Sequence, residues 1–250
     1  MTSLLEVEGL TVNFGGKVAL GGVDLVVAAG QLVGLIGPNG AGKTTTIDAV
    51  TGFVPCRGAV TFDGSALSGS ARGRRKPLTP TRRARMGLAR TWQGADLFVD
   101  LTVLENLQVA GESTPVPELR QLLVDLGLEE FADSPVTSLS HGQRKLAGVG
   151  RALASHPKLI CMDEPAAGLD TQESRHLGER IRAITADGTS VLLVDHDMGL
   201  VLAICDYLYV LDFGELIAQG TPAEIRMNER VIEAYLGRRH DADVAPKAAP

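Results

Sequence analysis

Nine residues constrain this chain more than any others: Gly37-Pro38-Asn39-Gly40-Ala41-Gly42-Lys43-Thr44-Thr45. They carry the spacing G-x-x-x-x-G-K-[ST]. An apolar run, Gln31 to Ile36, precedes them and reads as a buried strand. Thr46 to Val50 follows and reads as the start of a helix. Strand, glycine loop and helix in that order form the context in which this motif cradles phosphate. Glycine lets the backbone approach a polyphosphate without Cβ clashes. Successive N–H groups and the positive end of the helix face the anion. The spacing assigns Lys43 to the β- and γ-phosphates and the Thr44 hydroxyl to Mg²⁺.

Two further apolar runs end in polar residues. Lys158 to Met162 is followed by Asp163-Glu164, and Ser190 to Val194 by Asp195-His196. Continuous apolar runs of this length are what central parallel strands look like. Ligands of open α/β sheets gather outside the carboxyl ends of such strands. Three strands, ending at Ile36, Met162 and Val194, are therefore expected to deliver polar residues to one sheet edge. Asp163 would hold Mg²⁺, directly or through water. Glu164 would orient or deprotonate an attacking water, His196 would touch the γ-phosphate, and Gln93 would sense metal and water.

Composition narrows the setting. A 250-residue chain suits one large domain or one domain with an inserted subdomain. A net charge of −6 supplies no global positive field for nucleic acid, so no nucleic-acid partner is expected. Cys56, Cys161 and Cys205 form no close pair, which argues against a disulfide framework or zinc site and fits a reducing compartment. Met1 to Glu8 has no basic segment leading into an apolar one, so no signal peptide is expected. No apolar run approaches the length of a membrane span. A membrane role would have to come through a partner.

The rest of the chain reads as follows. Leu4 to Leu10 alternates as an edge strand, Val23 to Val27 forms a second strand, and Gly58 to Gly64 another. Phe14 lies ahead of the phosphate loop, where it is either a base-stacking aromatic or a core aromatic. A basic run (Arg72, Arg74, Arg75, Lys76, Arg82, Arg83, Arg85) reads as a solvated loop, with Pro80 opening a short helix. Leu88 to Gln93 reads as a strand. Residues 94–152 read as all-helical, with Thr102 and Glu105 as a capping box and Pro117 to Leu126 amphipathic. Ser140 is the expected N-cap of a helix running to Leu153. Gly148 and Gly150 inside it imply close packing, since glycine there costs up to about 1 kcal/mol. Gly168-Leu169-Asp170 forms a turn before a helix from Thr171 to Thr185. Tyr207 to Leu211 and Leu216 to Ala218 read as a hairpin, and helices follow from Pro222 and over Glu229 to Leu236. The tail 238–250, polar and rich in Ala and Pro, reads as disordered.

With these residues in view, the chain resembles the nucleotide-binding subunit of an ABC transporter over residues 4–237. The markers are Gly37–Thr45 (Walker A), Gln93 (Q-loop), Leu139-Ser140-His141-Gly142-Gln143 (signature), Leu159–Glu164 (Walker B with the catalytic glutamate), Gly168–Asp170 (D-loop) and His196 (switch histidine). Phe14 falls where the family has its adenine-stacking aromatic. The resemblance implies an α/β P-loop NTPase core, 1–93 and 153–220, with an antiparallel β subdomain. It also implies a helical subdomain over 94–152 and C-terminal helices over 222–237. ATP and Mg²⁺ are the implied cofactors. A second ATP-binding subunit, identical or a sister chain, would face the first head to tail. Each ATP would lie between one phosphate loop and the partner's Ser140, His141, Gly142 and Gln143, with Asp170 in the D-loop between them. Membrane permeases would dock near Gln93, with an extracytoplasmic binding protein as an indirect partner. The subunit would sit peripherally on the cytoplasmic face of the inner membrane. Two positions depart from the family pattern: His141 stands where glycine is commonest, and Trp92 where phenylalanine is more usual.

Finer likeness points to one branch. Arg85 to Gln93, Asp163 to Leu169, His196-Asp197-Met198, and the ending Gly220 to Ile225 with Ala234 to Gly237 resemble the ATPases of branched-chain amino-acid importers. That implies ATP hydrolysis driving uptake of a hydrophobic amino acid. The alternative is an ATPase for lipopolysaccharide or lipid export, which shares part of these stretches. A soluble ABC protein acting on ribosomes or DNA would carry two cassettes, or coiled-coil or zinc insertions. A small-molecule kinase would leave Leu139–Gln143 and His196 unexplained.

Overall fold

The structure, a computed structural model, describes residues 3–68, 76–92 and 97–242. Two sheets organise it. Strands β1 (Ser3–Phe14), β2 (Lys17–Ala28), β4 (Arg57–Phe62) and β5 (Ser65–Ser68) form an antiparallel sheet in the order β2-β1-β4-β5. Strands β3 (Leu32–Ile36), β6 (Leu88–Arg90), β7 (Leu159–Asp163), β8 (Ser190–Val194), β9 (Tyr207–Asp212) and β10 (Glu215–Gly220) form the second, in the order β10-β9-β3-β8-β7-β6. Its strands run parallel except β10, which closes a hairpin on β9.

The helices are α1 (Lys43–Thr51), α2 (Pro80–Arg85), α3 (Val103–Ala110), α4 (Val116–Asp125), α5 (His141–Leu153), α6 (Thr171–Ala186), α7 (Met198–Ile204), α8 (Pro222–Arg226) and α9 (Glu229–Ala242). The apolar runs of β3, β7 and β8 are explained by burial on both faces. Leu32, Ile36, Ile160, Met162, Val191 and Leu193 pack into one core with α3 to α7. The alternate residues Val33, Leu35, Leu159, Cys161, Leu192 and Val194 pack into a second core with α1 and the antiparallel sheet. Strand side chains alternate faces, so a sheet covered on both sides needs apolar residues at every position. Gly150 confirms close packing inside α5: a Cβ there would lie 2.8 Å from Leu126 Cδ1.

Several expectations need correction. The first strand is not at an edge, because β1 pairs with β2 on one side and β4 on the other. It also runs on to Phe14 through register shifts between Val7 and Leu10, Leu10 and Thr11, and Val12 and Asn13. Of the basic run, Arg72, Arg74 and Arg75 lie outside the described residues, and Lys76, Arg82 and Arg85 are exposed. Arg83 is buried instead of solvated. Its guanidinium donates to the carbonyls of Ala49 (3.0 Å) and Val50 (2.6 Å) at the end of α1, and to those of Leu78 (3.0 Å) and Leu67 (3.4 Å). A cation at a helix C-terminus meets carbonyls that have no helical partner. Residues 238–242, read as part of a disordered tail, continue α9; 243–250 lie outside the described residues. Helix α7, between β8 and β9, has no counterpart in the sequence reading.

Candidate functional site

The phosphate loop is held in shape by its own backbone. Gly37 has φ 152°, and a Cβ there would fall 2.1 Å from the Leu211 carbonyl oxygen on β9. Gly42, the N-cap of α1, has φ 105°, and a Cβ would strike Leu20 Cδ2 at 2.6 Å. Only glycine fits both the dihedrals and the space. The Ala41 N–H donates to Pro38 O (3.1 Å), and the Gly214 N–H of the β9–β10 turn donates to Ala41 O (3.0 Å). Lys43 is buried, and its Nζ donates to the carbonyls of Gly37 (2.8 Å) and Pro38 (3.0 Å). Asn39 and Gly40 form the exposed rim, Thr44 is exposed and Thr45 half-buried.

The three expected strand ends are adjacent and level. Leu35 pairs with Val194, and Val194 with Asp163. Asp163 is thereby brought to α1, where the Thr44 hydroxyl donates to its Oδ1 at 3.2 Å. Burial pushes the Asp163 carboxyl above the usual carboxylate range, against the lowering effect of the Thr44 hydrogen bond and the Arg90 charge. Arg90 Nη2 lies 3.8 Å from Asp163 Oδ2. Two hard oxygen donors side by side are the chemistry Mg²⁺ takes, one or two protein oxygens completed by phosphate and water. No group of three or more His, Cys, Asp or Glu suited to a metal occurs among the described residues.

Glu164 has φ 48°, a left-handed conformation costly for a side-chain-bearing residue, and its N–H donates to Val194 O at 2.7 Å. That bond ties the turn after β7 to the end of β8. Asp195, fully buried, accepts from the Ala166 N–H (3.1 Å) and the Asp197 N–H (3.0 Å). Its Oδ1 lies 3.7 Å from His196 Nδ1, and the His196 side chain is exposed at the sheet edge. Lys145 of α5 is buried, and burial lowers its pKa against the pull of the Asp195 and Glu164 charges. Arg90, Lys145 and Asp195 escaped the sequence reading. Asp195 alone left a signal, as an acid between a strand end and a candidate histidine.

Phe14 ends β1 with 52 % of its surface exposed, which settles its open alternative against a core role. Ser140 caps α5 with a complete capping box: its side chain accepts from the Gln143 N–H, and the Gln143 side chain accepts from the Ser140 N–H (2.8 Å). His141 Nε2 lies 3.3 Å from Ala167 O, and a Cβ on Gly142 would lie 2.9 Å from Glu173 Oε1. Asp170 caps α6, accepting from the Gln172 and Glu173 N–H groups at 2.8 Å each. The stretch 139–143 therefore packs against the turn and helix that follow Glu164. Gln93 lies outside the described residues.

A glycine loop of this shape beside an acid at the end of a parallel sheet is a nucleotide-phosphate cradle, and the chain belongs to the ABC transporter family, whose profile matches residues 20–167. Residues 215–241 match a second profile, described as branched-chain amino acid ATP-binding cassette transporter. The chain is 37% identical to the high-affinity branched-chain amino acid transport ATP-binding protein BraF of Pseudomonas aeruginosa, over 94% of this chain and 98% of that protein. It is also 37% identical to the lipopolysaccharide export system ATP-binding protein LptB of Escherichia coli, over 93% and 97%. Among solved structures it resembles the ADP conformation of an ATP-binding cassette of an ABC transporter (TM-score 0.83, 30% identity, covering 95% of this chain and 100% of that one). The chain is thus a nucleotide-binding, ATP-hydrolysing subunit of a family that works with membrane permeases. No helix among the described residues is long and apolar enough to cross a membrane.

Proposed function

We propose that this subunit powers import of branched-chain or other hydrophobic amino acids, docked peripherally on the cytoplasmic face of the membrane against partner permeases. The C-terminal match over residues 215–241, beside the likeness to BraF, favours import. The equal identity to LptB keeps lipid or lipopolysaccharide export as the second reading.

The observation that carries the chemistry is the 3.2 Å contact of Thr44 with Asp163 across level strand ends. ATP lies with its phosphates along Gly37 to Thr45 and its adenine against exposed Phe14. Lys43 turns from the Gly37 and Pro38 carbonyls to the β- and γ-phosphates. Thr44 and Asp163, with Gln93, would hold Mg²⁺, which would neutralise charge on the phosphates. Glu164 takes a proton from the water that attacks the γ-phosphorus. The bond to the β–γ bridging oxygen breaks, leaving ADP and phosphate. His196, oriented by Asp195, contacts the γ-phosphate. Within one chain Ser140, His141, Gly142 and Gln143 pack toward α6, so they serve the ATP of a second subunit, with Asp170 at that interface. The division of labour is a P-loop core over 1–93 and 153–220, a helical subdomain over 94–152, and C-terminal helices from 222.

Glu164→Gln tests this. It keeps ATP affinity, slows hydrolysis about 100-fold or more, as loss of a general base does, and accumulates an ATP-bound dimer by light scattering. Normal turnover removes Glu164 as the base. Affinity capture from solubilised membranes of the source organism decides the substrate class. Two multi-span permeases with a leucine-type binding protein mean import, and envelope lipid-export components mean export.

A further inference from the structure

Arg90 joins groups that the reaction scheme leaves separate. It is the last residue of β6, and its side chain is 7 % exposed. Nη1 donates to Asp48 Oδ1 on α1 at 2.5 Å, and Nη2 faces Asp163 Oδ2 at 3.8 Å. The guanidinium carbon Cζ lies over the Trp92 ring, 4.0 Å from its centroid, and 5.3 Å from that of Phe53. These two rings meet edge to face at 5.0 Å and are 40% and 49% exposed. One rigid fork therefore touches the phosphate-loop helix, the acid at the end of β7 and a surface aromatic pair. A lysine could not span these partners, because its ammonium is a point charge without a planar face.

We propose that Arg90 is a positioning residue that couples the metal-holding carboxylate of Asp163 to the exposed Phe53–Trp92 pair, so that Trp92 reads the state of the metal–nucleotide site. The inference rests on Asp163 being the metal carboxylate. A divalent cation at Asp163 places like charge beside the guanidinium, and in a partly buried site that repulsion is not screened away. Asp48 keeps its hold on Nη1, so the fork shifts against the rings it stacks on. Coupling runs both ways: whatever fixes the aromatic pair biases how Asp163 is presented to the metal.

Trp92 is the only tryptophan in the chain, so its emission reports on this stack alone. The full chain is titrated with MgATP, and separately with ATP in EDTA, with Trp92 fluorescence and calorimetric binding followed in parallel. MgATP is expected to change Trp92 emission with the calorimetric midpoint, and ATP in EDTA to bind without that change. Arg90→Met is expected to bind MgATP by calorimetry and lose the emission change. Arg90→Lys, the gentler variant should Met not fold, is expected to lose most of it. An emission change that persists in both variants, or wild-type MgATP binding with silent Trp92, overturns the coupling. Failure of the wild type to bind ATP in the calorimeter instead overturns the nucleotide reading beneath it.

Discussion

Two helix N-termini in this chain are assigned to the same kind of ligand and are built in opposite ways. Helix α1 begins at Gly42, a residue with no side chain to cap it and a left-handed backbone, so no side chain satisfies the first N–H groups of the helix. Helix α5 begins at Ser140 and closes on itself, its first donors held by a reciprocal Ser140–Gln143 box. A capping box satisfies donors that would otherwise seek an anion. On the proposed reading the first terminus takes phosphate within one chain, whereas the second is a closed surface packed against α6. The proposed site, split between two subunits, would use that difference: one half would bind alone, and the other would add contacts only when a second copy presents it.

The largest expected effect lies at the first terminus. Lys43→Ala removes the buried ammonium proposed to reach the β- and γ-phosphates, where each charge-assisted contact is worth about 1.5–3 kcal/mol. Monomer ATP affinity should fall about 100-fold or more by calorimetry. Retained affinity would mean that α1 does not cradle phosphate, and the contrast with α5 would lose its meaning.

The same contrast shows which parts of the molecule the sequence discloses. The phosphate loop was legible because each residue type answers a local demand: glycine at Gly37 and Gly42 for backbone and space, lysine and threonine for charge and oxygen. Strands β3, β7 and β8 were legible because burial on both faces leaves unbroken apolar runs. The capping boxes of α3 and α5 were legible because they are i, i+3 patterns. Arg83 and Arg90 were not. Arg83 is explained by carbonyls from residues 49–50, 67 and 78, and Arg90 by side chains at 48, 53, 92 and 163. No window of sequence holds those partners together. The reach of β1 to Phe14 was hidden by its register shifts, and α7 by its shortness, seven residues between two buried strands.

A smaller effect sharpens the comparison at the second terminus. Ser140→Ala deletes the acceptor for the Gln143 N–H, and loss of such a cap costs about 1 kcal/mol. Denaturant unfolding should show that loss. Calorimetry on the monomer should show ATP affinity unchanged, while dimer formation by the Glu164→Gln background weakens. A fall in monomer affinity would place α5 beside its own chain's phosphate loop and collapse the distinction between the two termini.

The smallest effect concerns the price in stability of keeping Asp163 ready. Its folded pKa is raised above the ordinary value, because burial outweighs the help of Thr44 and Arg90. Protonation is therefore easier in the folded state than in the unfolded one. The favourable contribution is full below the ordinary carboxylate pKa and is lost as pH rises through the raised folded value, so at neutral pH ionised Asp163 is a cost. Asp163→Asn keeps the shape and an acceptor for the Thr44 hydroxyl but cannot ionise. Without Mg²⁺ it should melt slightly higher than the wild type at neutral pH, and the gap should close as pH is lowered through the carboxylate range. With MgATP the order should reverse, since the wild type gains ligand stabilisation through a carboxylate that the variant lacks. A variant less stable than the wild type at neutral pH without metal would mean that the Arg90 and Thr44 contacts outweigh burial. Asp163 would then be a structural anchor of β7 before it is a ligand.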